Sequence, residues 1–220
     1  MPPGNKQFEA RRVKLLSELL VLDARTAGQE TRIEVYSGPP SRAAVQFGAS
    51  MSHVPNWFER KFEFSFPVEL FPNLCTRLRG TPARLEEVVH ACPRERLVQK
   101  PEGKWSAQEH AGHLLDLEPL WMARVDDYLA GATELTHADL SNRKTHEAGH
   151  NTRRIEDILA EFRKARLRLV NRVEGPTALL ARSIPHPRLK QPMRLVDHLY
   201  FVAEHDDHHL ARIWELLNPT

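Results

Sequence analysis

His205-Asp206-Asp207-His208-His209 sits inside a stretch, about Met193 to Leu217, whose apolar residues recur at helical spacing. Residues four apart on a helix share one surface, roughly 5–6 Å between Cβ atoms, so His205 and His209 can hold one ion between them. At about 100° of rotation per residue, Leu195, Leu199, Val202, Ile213, Leu216 and Leu217 form an arc closer to His209 than to His208. His208 therefore points further toward solvent. Glu204 and Asp207 fall on sides that water reaches, whereas Asp206 points into the apolar arc and needs a partner there. The competing reading is a pair of surface or hydrogen-bonded core histidines, because H-x-x-x-H also arises by chance.

Outward from this helix, the chain from Phe66 onward reads as helices separated by short breakers. Pro67 to Arg79 and Thr81 to Cys92 form a first helical region, with Thr81-Pro82 as a cap followed by proline, Gly80 as a kink or split, and Pro93 as the stop. Ser106-Ala107-Gln108-Glu109 is a capping box that opens a second helix running to Ala130, kinked at Pro119 and ended by Gly131. The polar segment 132–151, with His146, Glu147 and His150, is long enough to suggest a functional loop. A third helix is expected over Arg154 to Val173, its charged face solvated, and Pro185, Pro187 and Pro192 mark a connection to the last helix. Four amphipathic helices joined by loops predict an all-α fold, a four-helix bundle. Residues 1–50 read as an extension, helical over Phe8 to Ala27 or poorly ordered, followed by a linker that includes Ser37-Gly38-Pro39-Pro40-Ser41. The bundle is expected over 51–220, and Met51 would itself serve as a start.

The chain has 220 residues and a net charge of +2, so it can bury a sizeable core but carries no strong field to recruit nucleic acid or an anionic membrane. Its two cysteines, Cys75 and Cys92, form no C-x-x-C pattern and suit a reducing compartment. No apolar run approaches the ~20 residues needed to span a bilayer, and the first residues do not resemble a secretory leader. A soluble, cytoplasmic protein is expected. Twelve histidines raise the prospect of metal chemistry without locating it. Bundles build metal sites from inward-facing side chains on neighbouring helices, and the second helix offers His110 and His113. On its wheel Leu114, Leu117, Trp121 and Val125 define the buried arc, with His110 near the middle and His113 near the edge, so periodicity leaves both open.

These residues carry a resemblance. Trp105-Ser106 opening a helix, then Gly112-His113-Leu114 with Asp116 and Trp121, then His205 with His208-His209 on the last helix, resembles the DinB/YfiT-like superfamily over about Trp57 to Leu217. That resemblance implies a four-helix bundle with a three-histidine metal site formed by His113, His205 and His209. Many relatives follow the double histidine with Arg-Gly-Gln, where this chain has Leu210-Ala211-Arg212. The superfamily includes bacillithiol S-transferases and mycothiol-dependent isomerases, and other members are described only as metal-dependent hydrolases.

Three imidazoles with a vacant fourth position make a catalytic-type site for Zn²⁺, Ni²⁺ or another borderline divalent ion. The resemblance implies a thiol-dependent S-transferase, with a low-molecular-weight thiol as partner of a small-molecule substrate; hydrolysis by a metal-bound hydroxide is the alternative. Arg212, about one turn beyond His209, is a candidate for pairing with an anionic substrate group, against the reading of a surface arginine. Asp116, one turn from His113, is a candidate acceptor for a ligand's second N–H, against an exposed neighbour. His146, Glu147 and His150 offer a lid or proton-transfer group, and Trp105 and Trp121 read as packing residues. A non-catalytic bundle that keeps the ion for structure is the remaining class, in which Phe58, Phe62, Phe64 and Phe66 offer apolar area to a second copy of the chain.

Overall fold

The computed structural model describes residues 53–174 and 177–219. The extension, its expected helix over Phe8 to Ala27 and the boundary near Met51 lie outside the described residues. Four long helices make the bundle: α1 Phe71–Val89, α2 Ala107–Ala130, α3 Ile155–Val173 and α4 Leu195–Leu217. No helix among the described residues is long and apolar enough to cross a membrane.

The apolar residues fall into two clusters that fix the helix directions. One joins Leu78 of α1, Trp121 and Val125 of α2, Leu169 and Val173 of α3, and Leu199 of α4. The other joins Leu85 of α1, Leu114 of α2, Phe162 of α3, and Leu210 and Ile213 of α4. The C-terminal half of α2 thus meets the C-terminal half of α3, so these two run parallel, with α1 and α4 antiparallel to both. α1 and α2, adjacent in sequence, do not pack closely; each lies between α3 and α4. Parallel α2 and α3 require the connection 131–154 to travel back along the bundle. It does so beside α2, and it contains two short helical turns, Arg143–Glu147 and His150–Thr152.

Between the two apolar clusters lies one polar layer to which every helix contributes. Thr81, Glu118, Arg166 and Asp206 are all buried, each with apolar residues about one turn away on both sides. Arg166 donates Nε to Glu118 at 2.9 Å and Nη2 to Asp206 at 3.0 Å, its Nη1 also meets Asp206, and Thr81 donates to Asp206 at 3.0 Å. Asp206 therefore has the buried partner its place on the wheel demands. The solvated face expected for the third helix is corrected at Arg166, whose position one turn from Phe162 and near Leu169 puts its cation inside. Glu118 answers with a raised carboxyl pKa, because burial outweighs the attraction of Arg166.

Local structure departs from expectation in two further places. Thr81-Pro82 does not start a helix: α1 continues through Gly80 and Pro82, and the Thr81 hydroxyl serves Asp206 instead of a helix end. The proline connection contains an antiparallel pair, β1 Ser183–Pro185 and β2 Pro192–Arg194, with Ile184 opposite Met193 and both buried. Three-residue strands that each hold a proline leave no alternating pattern to read. By contrast, the capping box of α2 is formed in both directions, and Gly131 ends the helix at φ 71°.

Residues 53–66 form an extended strap along α4. Val54 N–H donates to Glu215, Arg60 pairs with Glu204 at 2.5 Å, and Phe66 N–H donates to Asp197 at 3.0 Å, so the strap runs antiparallel to the helix. Along it Arg60, Phe62, Phe64 and Phe66 turn inward while the residues between are exposed. Phe62 and Phe64 pack on Phe201 and Phe66 stacks on Tyr200, so of the four phenylalanines only Phe58 remains broadly exposed. The strap occupies most of the apolar area that was a candidate surface for a second copy.

Candidate metal centre

His205 and His209 project from successive turns of α4, and His113 from α2 meets them; all three are buried. One ring nitrogen from each lies within 4.8 Å of the others, and among the described residues this is the one group of three or more metal-ligating side chains. Nε2 of His205 and Nε2 of His209 stand 3.2 Å apart. Tetrahedral zinc, with Zn–N near 2.0–2.1 Å, sets its nitrogens about 3.3 Å apart, so the pair has the spacing of two ligands on one ion. Two neutral imidazole lone pairs facing each other at this distance repel unless a proton or a cation lies between them.

The other ring nitrogens are largely committed. His113 Nδ1 lies 3.0 Å from the Thr145 hydroxyl, which donates to Asp116 Oδ2 at 3.0 Å. A hydroxyl has one proton, and Thr145 gives it to the carboxylate, so His113 must donate from Nδ1 and leave Nε2 with a free lone pair. His150 Nε2–H donates to the same Asp116 oxygen at 2.7 Å. His209 Nδ1 is 2.8 Å from His110 Nδ1, which frees His209 Nε2 in the same way when His209 is the donor. His205 Nδ1 is buried without a partner among the described residues.

Burial sets the charge state of the cluster. Loss of hydration holds His205 and His209 well below the ordinary imidazole value and pushes His113 down to about 4, with the neighbouring imidazoles adding to the effect. All three are neutral near pH 7, as metal ligation requires. For Asp116 burial raises the pKa, yet hydrogen bonds from His150 and Thr145 bring it below the usual carboxylate range, so it stays an acceptor.

Asp116 is buried and reaches His113 only through Thr145, which corrects the direct contact expected from their one-turn separation. His150 is neither a lid nor a proton-transfer group at the surface. Its ring lies against Gly112, where a Cβ would stand 2.3 Å from His150 Cγ, so only glycine lets the crossover approach α2 this closely. Arg212 lines the same cavity as the histidines, with its guanidinium 3.0 Å from Glu215 and 3.1 Å from His53. That cavity has a volume of about 1440 Å³. Trp105 and Trp121, expected as packing residues, both border it: the Trp105 ring is 4.7 Å from that of His113, and the Trp121 ring 5.6 Å from that of His205. Trp57 of the strap adds a third aromatic wall, edge-on to His205 at 5.0 Å. Thr145 lies in no periodic segment and was beyond sequence reasoning, whereas the alternation of Phe62, Phe64 and Phe66 was a signal that could have found the strap.

Replacing Thr145 by Val should remove the acceptor of the His113 N–H while keeping the shape of the side chain. Loss of such an outer partner costs about 10- to 100-fold in metal affinity. Competition titration of zinc against a chromogenic chelator measures it, and an affinity equal to that of the wild type would mean that Thr145 does not orient His113.

The comparisons with known proteins agree with this fold. The family model described as the DinB superfamily matches residues 77–213. No curated protein matches the chain. Among solved structures, YfiT from Bacillus subtilis, described as a probable metal-dependent hydrolase with an unusual four-helix bundle topology, superposes with a TM-score of 0.63. It is 22% identical in sequence, and the match covers 72% of this chain and 91% of that one.

Proposed function

The chain belongs to the DinB superfamily, and from that premise we propose that it is a cytoplasmic, metal-dependent enzyme in which His113, His205 and His209 bind one divalent ion, zinc or nickel, to activate a low-molecular-weight thiol for transfer to a small electrophilic substrate. The observation that carries this reading is the convergence of three buried, neutral imidazoles on the wall of a cavity of about 1440 Å³. A divalent ion held there supplies a position at which a thiol or a water gives up its proton near neutral pH. The protein's own part is to orient the rings, through Thr145 on His113 and His110 on His209, and to surround the site with Trp57, Trp105 and Trp121. The cavity has room for a thiol and a second substrate together.

Hydrolysis is the second reading, in line with the description of YfiT. Among the described residues two carboxylates border the cavity, and both are engaged, Glu215 with Arg212 and Asp139 with Ser141 and Arg143. Neither is free to act as a general base, so either reading would rely on the ion to lower the pKa of its thiol or water. The test loads wild-type protein with zinc or nickel and offers bacillithiol or mycothiol with an electrophilic acceptor. Metal-dependent loss of thiol supports transfer. Ester or amide turnover at the same rate without any thiol would replace that reading by hydrolysis.

A further inference from the structure

We propose that Arg124 is the recognition group for a carboxylate on the substrate, held at one side of the metal cavity with a single indole between it and the metal centre. This deepens the proposed function and rests on it only for the metal end of the ligand. Arg124 is 2% exposed and borders the cavity. Its Nε donates to the Thr136 carbonyl at 2.9 Å, and among the described residues no carboxylate pairs with its guanidinium. The contrast with Arg166 is direct: that buried arginine has two carboxylates. Burial pulls Arg124 down to about 10, against a weaker opposing pull from Tyr128 and Asp127, so it remains a cation at neutral pH. An isolated buried charge is costly and calls for an anion.

Two neighbours repeat the pattern. His186, 3% exposed and also on the cavity wall, accepts from the N–H groups of Arg188 and Leu189 through Nδ1, each at 3.2 Å. Its proton must then sit on Nε2, which has no acceptor among the described residues. Trp121 Nε1, a donor by chemistry, is likewise buried without an acceptor among the described residues. A guanidinium, an imidazole N–H and an indole N–H thus lack what a carboxylate has, acceptor lone pairs with a negative charge. The Trp121 ring is 5.6 Å from Arg124 Cζ and 5.6 Å from the His205 ring, so it bridges the anion position and the metal centre. The substrate class is a small carboxylic acid.

Calorimetric titration of the full chain with benzoate, and with benzamide as its neutral counterpart, tests this. Metal-free wild-type protein should bind benzoate in preference to benzamide, and Arg124→Gln should weaken benzoate by about 10- to 100-fold while leaving benzamide unchanged. Equal benzoate affinity in the two proteins, or no binding by the wild type, overturns the assignment. Should the variant fail to fold, dicarbonyl labelling of wild-type protein decides instead: benzoate, and not benzamide, should protect Arg124 from modification, and absence of protection overturns the assignment. Zinc uptake by the same samples reports on the histidines separately. Uptake should be the same in wild type and Arg124→Gln, and a wild type that binds benzoate but no zinc would remove the metal reading and leave the carboxylate subsite standing.

Discussion

His209→Ala protein, purified without a metal-binding tag, is expected to carry no stoichiometric metal while keeping the helical far-ultraviolet spectrum of the wild type. His209 stands at the centre of the cluster: its Nε2 is 3.2 Å from His205, its ring 4.7 Å from that of His113, and its Nδ1 meets His110. Its removal leaves only two of the three converging imidazoles, so the loss of affinity should exceed the about 100-fold that an outer partner costs. The fold should persist because both apolar clusters and the Arg166 layer are complete without an ion. Elemental analysis and circular dichroism on the same sample give the answer. A variant that unfolds would identify the ion as structural, and one that retains a full equivalent of metal would move the centre elsewhere.

Arg166→Met should be the most destabilising single change in the bundle, by about 3–5 kcal/mol, because it strips the cation from two buried carboxylates. The penalty has a pH signature. Glu118 already has a raised pKa through burial, and loss of Arg166 removes the attraction that opposes the rise. A carboxyl whose folded pKa lies above its unfolded value favours the fold fully below the unfolded value and loses that contribution as pH climbs through the folded one. Urea melts should therefore show the variant closer to wild type near pH 5 than near pH 8. Equal destabilisation at both would mean that the carboxylates find other partners.

Much of this architecture is legible in the residues. The α2 capping box, its stop at Gly131 and the span of α3 follow from local chemistry, because a cap, a left-handed glycine and an apolar period each act within a few residues. The inward aim of Asp206 and the pairing of His205 with His209 are also properties of one helix. The choice between His110 and His113 is not. Both face the cavity, and what separates them is which ring presents Nε2 to the cluster, fixed by Thr145, 32 residues further along the chain. Thr81-Pro82 misleads for a related reason: a cap followed by proline is a start signal in isolation, but Asp206 on another helix claims the hydroxyl. Arg166 lies between Phe162 and Leu169 on its helix, but an arginine reads as surface until its buried carboxylate partners on two other helices are known.

The mid-bundle salt-bridge layer also acts as an axial gauge. Sliding α4 past α2 by one helical turn, about 5.4 Å, would separate Asp206 from Arg166 and Glu118 and leave charges stranded in the apolar layers on either side. The same slide exceeds the 4.8 Å within which the three histidine nitrogens converge. Because Asp206 directly follows His205 in the chain, whatever locks the carboxylate in phase locks the imidazoles too. The spacing of the three imidazoles is thereby set by the fold itself, and binding of an ion at the proposed centre need not be accompanied by assembly of the helices.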